Sequence, residues 1–305
     1  MFATEHRLGH RVAIVSDHMP YRRATALLGS LLALLLWVPR PVLHAQTETM
    51  PEQTLKKIVG RQKLILEQAA KQGDKLDDES LRVQVQEICH DYEILINESP
   101  KFAAAYAAYG YLLRQIDMQK EGVAMLLKAN ALDPDIPLVK NQIGNYLAED
   151  GKPLEAVNYF IAAIKLEPNE PLYHYELGKL LYDARDDFLN KGVYTRPQLD
   201  DAMHNAFKKA TELAPDRVEF SYRYAESFYD LQKPDWDGAL KVWASLEEKA
   251  QTPRERGIAR LQAANVLIKQ GKFDHARLLL SLVTEPDLDG QKQKLVAQLP
   301  ENAKK

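Results

Sequence analysis

The feature that most constrains the fold is a helix-like segment that occurs twice at a fixed interval. Residues 117–134, DMQKEGVAMLLKANALDP, are followed 34 positions later by residues 151–168, GKPLEAVNYFIAAIKLEP. In both segments the apolar residues recur at steps of three and four, which predicts a helix. Both end in an apolar residue, an acidic residue and a proline, and proline stops a helix because it lacks an amide hydrogen. This register predicts an array of helical repeats, since an ordinary helical bundle does not need one.

Glycines, alanines and prolines mark the same register around these segments. Gly110, Gly144 and Gly178 follow one another at intervals of 34 residues. A glycine inside a helix costs about 1 kcal/mol relative to alanine, so we expect another helix to cross closely where each glycine leaves no room for a side chain. The other structural positions of the pattern are three alanines and three helix-stopping prolines: Ala129, Ala163, Ala210, Pro134, Pro168 and Pro215.

This pattern resembles the tetratricopeptide repeat, a unit of 34 residues that forms a helix, a turn and a second helix. The resemblance covers residues 55–290, and residues 103–215 carry it best. The repeats begin at Ala103, Pro137, Pro171, Val218 and Gly257. The resemblance implies an all-α fold, a right-handed α-solenoid of stacked antiparallel helix pairs, in which each repeat buries the apolar face of its neighbour.

The sequence divides into four predicted segments. Residues 1–45 are a signal peptide, 51–100 a degenerate N-terminal helix pair, 101–290 the solenoid, and 291–305 a C-terminal capping helix and tail.

The repeat that begins at Pro171 carries an insertion. Asn190-Lys191-Gly192 and Pro197 predict a long first helix, a short loop near 190–196 and then a new helix. Insertions in solenoids often lie on the binding face, and a solvent-exposed excursion without a role is the alternative.

The amino terminus has the pattern of a secretory signal peptide. Residues 24–38, ATALLGSLLALLLWV, are uncharged, follow Arg22 and Arg23, and precede a cleavage position at Ala45. This core is shorter than the about 17–25 residues of a membrane-spanning helix, which favours cleavage over a retained membrane anchor. Met19 is a more usual start for such a signal than Met1. The sequence therefore predicts an exported protein, either periplasmic or secreted.

Charge and cysteine content narrow the choice of partners. After residue 45 the chain has 35 basic and 41 acidic residues, a net charge of −6. This balance disfavours nucleic acid and anionic membranes as main partners. Cys89 is the only cysteine, so it cannot form a disulfide within the chain, and its apolar neighbours predict a buried small hydrophobe.

The sequence contains no recognisable catalytic or metal-binding constellation. The histidines after residue 45 are not spaced as ligand pairs on one helical turn: His90, His174, His204 and His275. The acidic clusters DKLDDES, PDWDG and PDLDG do not continue into a calcium loop with its closing glutamate. A P-loop, a dinucleotide fingerprint and a G-x-S-x-G motif are all absent from the sequence. We therefore predict a non-catalytic protein with no metal and no cofactor.

The resemblance also implies a binding surface, because the first helices of such repeats line a concave groove. The groove positions fall on ten residues of this sequence: Tyr111, Arg114, Asn141, Asn145, Tyr175, Lys179, Tyr182, Tyr222, Glu226 and Tyr229. Asn141 and Asn145 lie one turn apart, which suits hydrogen bonds to an extended peptide backbone. Tyrosines are large, stiff and amphipathic contact residues, and their alternative role is to bridge adjacent repeats.

We therefore expect a scaffold or adaptor of the bacterial cell envelope that binds another protein or peptide in its groove. The alternatives are a structural protein that self-associates through its end helices, near Leu295 and Leu299, and an accessory subunit of an envelope enzyme or export complex. Carbohydrate binding by the tyrosines is a further alternative. The carboxylate clamp of cytosolic co-chaperones in this family is absent, because its lysine and asparagine positions hold Ala107 and Tyr111.

Overall fold

The computed structural model describes residues 48–72 and 78–300, which form fourteen α-helices, one short 3₁₀ helix and no strand. The prediction of an all-α fold is thus confirmed. The predicted signal peptide, residues 1–45, lies outside the described residues. Among the described residues, none of the helices combines the length and the apolar character that crossing a membrane requires.

The chain forms two compact units, Met1–Tyr146 and Leu147–Lys305. The N-terminal unit contains two helix pairs, α1 (Met50–Gln72) with α2 (Asp78–Glu98) and α3 (Ala103–Gln115) with α4 (Gln119–Leu132). Helix α2 also packs on α3. Short turns between helices that touch make the partners antiparallel. Helix α5 (Pro137–Glu149) spans the boundary between the two units.

The C-terminal unit continues the alternation of first and second helices. Its helices are α6 (Pro153–Leu166), α7 (Pro171–Asp183), α8 (Arg185–Asn190), α9 (Arg196–Leu213), α10 (Val218–Asp230), α11 (Trp236–Lys249), α12 (Pro253–Lys269), α13 (Phe273–Ser281) and α14 (Asp289–Val296). Apart from the short α8, each helix from α6 to α13 packs on the next one along the chain, so that α7 lies against α6 and α9. The apolar faces of these helices are buried between neighbours, as a stack of repeats requires.

The first helices of the repeats share one register. Helices α3, α5, α7 and α10 each have 13 residues and begin where the sequence places the repeats. Gly110, Gly144 and Gly178 are each the eighth residue of their helix. The three glycines therefore occupy equivalent positions in successive first helices.

The second helices end in the same way. Helices α4, α6 and α9 each end two residues before a proline, at Pro134, Pro168 and Pro215 respectively. The alanine three residues before each helix end is fully buried, at Ala129, Ala163 and Ala210. Small buried residues at these positions let the helices of a pair approach closely.

Helices α3 and α4 cross at a pair of glycines. A Cβ atom at Gly110 would lie 2.8 Å from the carbonyl oxygen of Gly122 and 2.9 Å from Leu126 Cγ. A Cβ atom at Gly122 would lie 2.7 Å from Arg114 Cγ and 2.9 Å from the carbonyl oxygen of Gly110. Backbone atoms stand within contact on both sides, so neither position has room for a side chain.

The first helix pair holds the only cysteine in its core. Cys89 is a free, buried cysteine, as the sequence predicts. Burial raises the pKa of its thiol to about 12, so the thiol stays protonated and unreactive. Beside it, the buried Tyr92 hydroxyl donates a 2.7 Å hydrogen bond to Gln62 Oε1, and the Tyr92 ring stacks on Tyr109 at 5.3 Å between centroids.

The insertion differs from the prediction of one long first helix, which is wrong. Helix α7 ends at Asp183, and Ala184, with φ −104° and ψ 26°, separates it from the short α8. The break turns Phe188 into the core, where its ring is fully buried and meets Tyr194 edge-on at 5.7 Å between centroids. The predicted loop and helix start are present, because Gly192 has φ 66° and Thr195 forms a capping box at the start of α9.

A buried carboxylate ties this insertion to the next repeat. Asp200 Oδ1 accepts from Arg196 Nε and Asp200 Oδ2 from the backbone N–H of Gln232, both at 2.7 Å. Arg196 Nη2 and Arg185 Nη2 donate to the carbonyl oxygen of Asp230, at 2.7 and 3.3 Å. A carbonyl at the end of a helix, as in α10, has no partner within the helix. The two arginines supply that partner from the insertion, and we call these contacts the Asp200 network.

The last repeat begins four residues before the predicted Gly257. Helix α12 starts at Pro253 because Thr252 and Glu255 form a capping box. Thr252 Oγ1 accepts from the Glu255 N–H at 3.2 Å, and Glu255 Oε2 accepts from the Thr252 N–H at 3.3 Å. These two bonds satisfy amide hydrogens that a helix start leaves free.

Candidate functional site

The C-terminal unit repeats one surface pattern on two first helices. On α7 and on α10, a tyrosine is followed after four residues by a charged residue and after three more by a second tyrosine. Residues at these steps share one face of a helix. These six predicted groove residues form what we call the tyrosine face: Tyr175, Lys179, Tyr182, Tyr222, Glu226 and Tyr229.

Three members of the tyrosine face are exposed, namely Lys179, Tyr182 and Glu226. Tyr182 keeps 42% of its surface accessible, which is unusual for a large aromatic residue. Lys179 Nζ donates to Asp183 Oδ2 at 2.8 Å, and this hydrogen bond raises the pKa of Lys179. Lys179 therefore stays charged, and the face offers one cation, one anion and one open aromatic ring.

The other three tyrosines are half-buried and bridge to neighbouring helices. The Tyr229 hydroxyl donates to the Gln262 carbonyl oxygen on α12 at 3.1 Å. Burial raises the pKa of Tyr229 to about 12, so its hydroxyl remains a donor. The Tyr175 ring lies 4.8 Å from Phe220 on α10. Bridging, the alternative role for tyrosines, thus applies to these residues, which hold the helices of the face in place.

A cation that sequence reasoning missed fixes the exposed tyrosine. The Arg223 guanidinium lies 4.2 Å from the centroid of the Tyr182 ring and 4.5 Å from that of Phe207. Both its terminal nitrogens donate to Asp230 Oδ2 at 3.1 Å. Stacking of this kind holds a ring from one side, so Tyr182 is positioned while its other side stays open. No local motif signals Arg223, because its partners lie on three different helices.

Comparison with known proteins bears on the fold. No family model matches the sequence, and no curated protein matches it. Among solved structures, the tetratricopeptide-repeat protein YrrB, described as having an unusual peptide-binding site, is similar with a TM-score of 0.56. The match has 18% identity and covers 68% of this chain and 98% of YrrB. PilF of Pseudomonas aeruginosa matches with a TM-score of 0.53 and 16% identity, over 82% of this chain and 100% of PilF.

A third similar structure is the C-terminal part of a tetratricopeptide repeat-containing protein from Cytophaga hutchinsonii. It matches with a TM-score of 0.53 and 18% identity, over 92% of this chain and 99% of that structure. The chain has the tetratricopeptide-repeat fold. The resemblance seen in the sequence is therefore confirmed at the level of the fold.

In the N-terminal part of this tetratricopeptide-repeat chain, two predicted groove residues are not at the surface. Tyr111 and Asn141 are buried, with 2% and 0% of their surface exposed, so the exposed positions predicted for them need correction. Helix α3 packs on both α2 and α4, which covers more of its circumference than a single apolar stripe.

The two remaining groove residues of this region, Arg114 and Asn145, are half-buried. Arg114 Nη1 donates to the Gln142 carbonyl oxygen at 2.6 Å, and its Nε donates to Gln119 Oε1 at 3.0 Å. These bonds tie α3 to the start of α4 and to α5. A binding role for Arg114 and Asn145 stays a prediction.

The histidines of this tetratricopeptide-repeat chain have structural partners where the contacts are described. His204 Nδ1 lies 2.8 Å from Ser227 Oγ, and His174 Nε2 lies 2.8 Å from the Pro168 carbonyl oxygen. Within the part of the chain that the structure describes, no three His, Cys, Asp or Glu residues form a group able to hold a metal ion. That the chain uses no metal and no cofactor stays a prediction.

Proposed function

We propose that this chain is a non-catalytic scaffold that binds a segment of another protein on the tyrosine face of its C-terminal unit. The observation that carries the proposal is the pattern of tyrosine, charge and tyrosine on both α7 and α10, with its exposed members held by packed neighbours. Aromatic groups that are fixed before binding lose little conformational entropy when a partner arrives. The similarity in fold to YrrB, described as having a peptide-binding site, supports this function.

The charges of the face suggest which segments it prefers. Lys179 stands on α7 and Glu226 on α10, and both are exposed. A segment that places an acidic residue near Lys179 and a basic residue near Glu226 complements both charges. An apolar or aromatic residue between them meets the open side of Tyr182, since tyrosine is among the commonest residues at the centre of binding surfaces.

Peptide selection tests this function. Peptides selected from a random display library against the full chain are synthesised with a fluorescent label, and their affinity is measured by anisotropy. We expect Tyr182→Ala to weaken binding about tenfold or more, because a central aromatic contact is lost. Leu278→Ala, at a residue that is 60% exposed on α13, is the matched control and should bind as the wild type does. The proposal fails if no peptide is selected, or if the selected peptides bind Tyr182→Ala and wild type equally well.

We also propose that the chain works in the bacterial cell envelope after removal of residues 1–45. The uncharged segment 24–38 behind Arg22 and Arg23 supports export. Mass spectrometry of the protein from an envelope fraction is expected to show Gln46 as the first residue. Recovery of the chain from the cytoplasm with residues 24–38 intact would contradict this proposal.

A further inference from the structure

The C-terminal unit has an open trough that the tyrosine face does not use. It lies between α6 and α9, with α7 beneath, and has a volume of about 530 Å³. Its apolar lining comes from all three helices: Ile161, Ile164, Leu177, Ala202 and Ala206. Leu177 lies on a different side of α7 from the tyrosine face, since residues two positions apart on a helix point in different directions. The trough is therefore a separate surface.

The rim of the trough is positively charged. Lys165 stands on α6, while Lys208 and Lys209 stand on α9. One acid, Glu212, lies 3.9 Å from the Nζ atoms of Lys208 and Lys209, and all three side chains are about half exposed. Three cations and one anion contrast with the net charge of −3 of the whole chain. An apolar floor between lysines fits an amphipathic helix with acidic residues beside its apolar stripe.

Helix α2 in the N-terminal unit has that composition on its exposed face. Val83 and Ile94 are 44% and 42% exposed, although both are strongly apolar. Glu87 and Glu98 lie on the same face at helical spacing and are exposed as well. The helix DESLRVQVQEICHDYEILINE carries six acidic residues and one arginine. Arg61 pairs with Glu87 at 3.4 Å, yet 61% of the Glu87 side chain remains accessible.

The dimensions of the two surfaces agree. Val83 and Ile94 are eleven residues apart, which is about 16 Å along a helix at 1.5 Å per residue. The α9 wall of the trough runs from Ala202 to Glu212, which is about 15 Å by the same measure. We propose that α2 of one copy of this chain docks into the trough of a second copy. Val83 and Ile94 then meet the apolar floor, and the glutamates face the lysines of the rim.

This contact is a head-to-tail one, because the trough and α2 are different surfaces of the chain. Such contacts close into rings or extend into open filaments. One helix face in a trough is a small interface, so the association is weak. Its charged rim makes it sensitive to salt. The inference goes beyond the proposed function, since it leaves the tyrosine face free.

A pair of charge reversals tests the contact in the full chain by sedimentation velocity. Wild type is expected to show a sedimentation coefficient that rises with concentration and falls back at high salt. Two double variants, Lys208→Glu with Lys209→Glu and Glu87→Lys with Glu98→Lys, should each associate at least about tenfold more weakly. An equimolar mixture of the two should associate again. In the mixture each reversed trough meets a reversed helix, and each unchanged trough meets an unchanged helix.

The controls separate this contact from other causes of association. All four substituted residues are exposed, so the variants should keep the circular dichroism spectrum of the wild type. Lys233→Glu with Lys241→Glu reverses two other exposed lysines of the C-terminal unit and should associate as the wild type does. A wild type that is monomeric up to about 1 mM, a weak affinity for any interface, overturns the proposal. Association that persists in both double variants, or a mixture that stays monomeric, overturns it as well.

Discussion

Replacing Gly110 with alanine is expected to destabilise the chain by about 1–2 kcal/mol, although alanine is the better helix former. The new Cβ would lie 2.8 Å from the Gly122 carbonyl oxygen, a backbone atom that cannot turn away. Overpacking of this kind costs about 1–3 kcal/mol, and the higher helix propensity of alanine offsets up to about 1 kcal/mol. Urea unfolding followed by circular dichroism measures the loss. Hydrogen exchange should locate it in α3 and α4.

Two other glycines serve as matched controls for Gly110. A Cβ at Gly60, within α1, would have no neighbour within 4 Å, so Gly60→Ala should stabilise the chain by about 0.5–1 kcal/mol. At Gly178 the nearest atom is on the Phe207 ring, at 2.9 Å. Because a ring can tilt where a carbonyl oxygen cannot, Gly178→Ala should fall between the other two variants. If Gly110→Ala were as stable as Gly60→Ala, the close crossing of α3 and α4 would be refuted.

Replacing Asp200 with alanine is expected to cost about 3 kcal/mol. The side chain is 5% exposed and accepts from both Arg196 and the Gln232 backbone. Removing one partner of a buried ion pair typically costs about 3–5 kcal/mol, and the lower end applies because Arg196 is 36% exposed, so water screens its charge. Urea unfolding again gives the magnitude. Hydrogen exchange should show faster opening of α8 and the loop that follows it.

Two further variants identify what the Asp200 carboxylate contributes. Asp200→Asn keeps an oxygen that can accept from the Gln232 N–H but removes the negative charge, so an intermediate loss is expected. Asp187→Ala removes an exposed carboxylate from α8 and should change stability by no more than about 0.5 kcal/mol. Equal stabilities of Asp200→Ala and Asp187→Ala would show that the Asp200 network does not hold the insertion in place.

Much of the fold can be predicted because its signals are local and repeated. Proline at the first position of a helix presets the backbone angle, and helices α5 and α7 begin at Pro137 and Pro171. A glycine in the same place in three helices points to a close crossing, and for Gly110 the structure shows the backbone atoms that require it. The 34-residue interval then leaves few alternatives to stacked helix pairs.

The rest depends on contacts between residues that are distant in sequence. Asp200 is 32 positions from Gln232, and Arg185 is 45 positions from Asp230, so no local pattern records the Asp200 network. The break at Ala184 follows from the burial of Phe188, which only the assembled core provides. Groove positions carried over from a repeat pattern do not take account of how tightly neighbouring helices cover Tyr111.

The Asp200 network changes how cooperatively these repeats unfold. In an array of stacked repeats, stability is a sum of local terms and nearest-neighbour contacts, and segments can open separately. Here the last carbonyl of α10 depends on guanidinium groups supplied by the preceding repeat. Fraying of the insertion therefore removes the cap of α10, and fraying of α10 leaves two cations without acceptors. The span from α8 to the end of α10 is thus thermodynamically coupled and opens as one block.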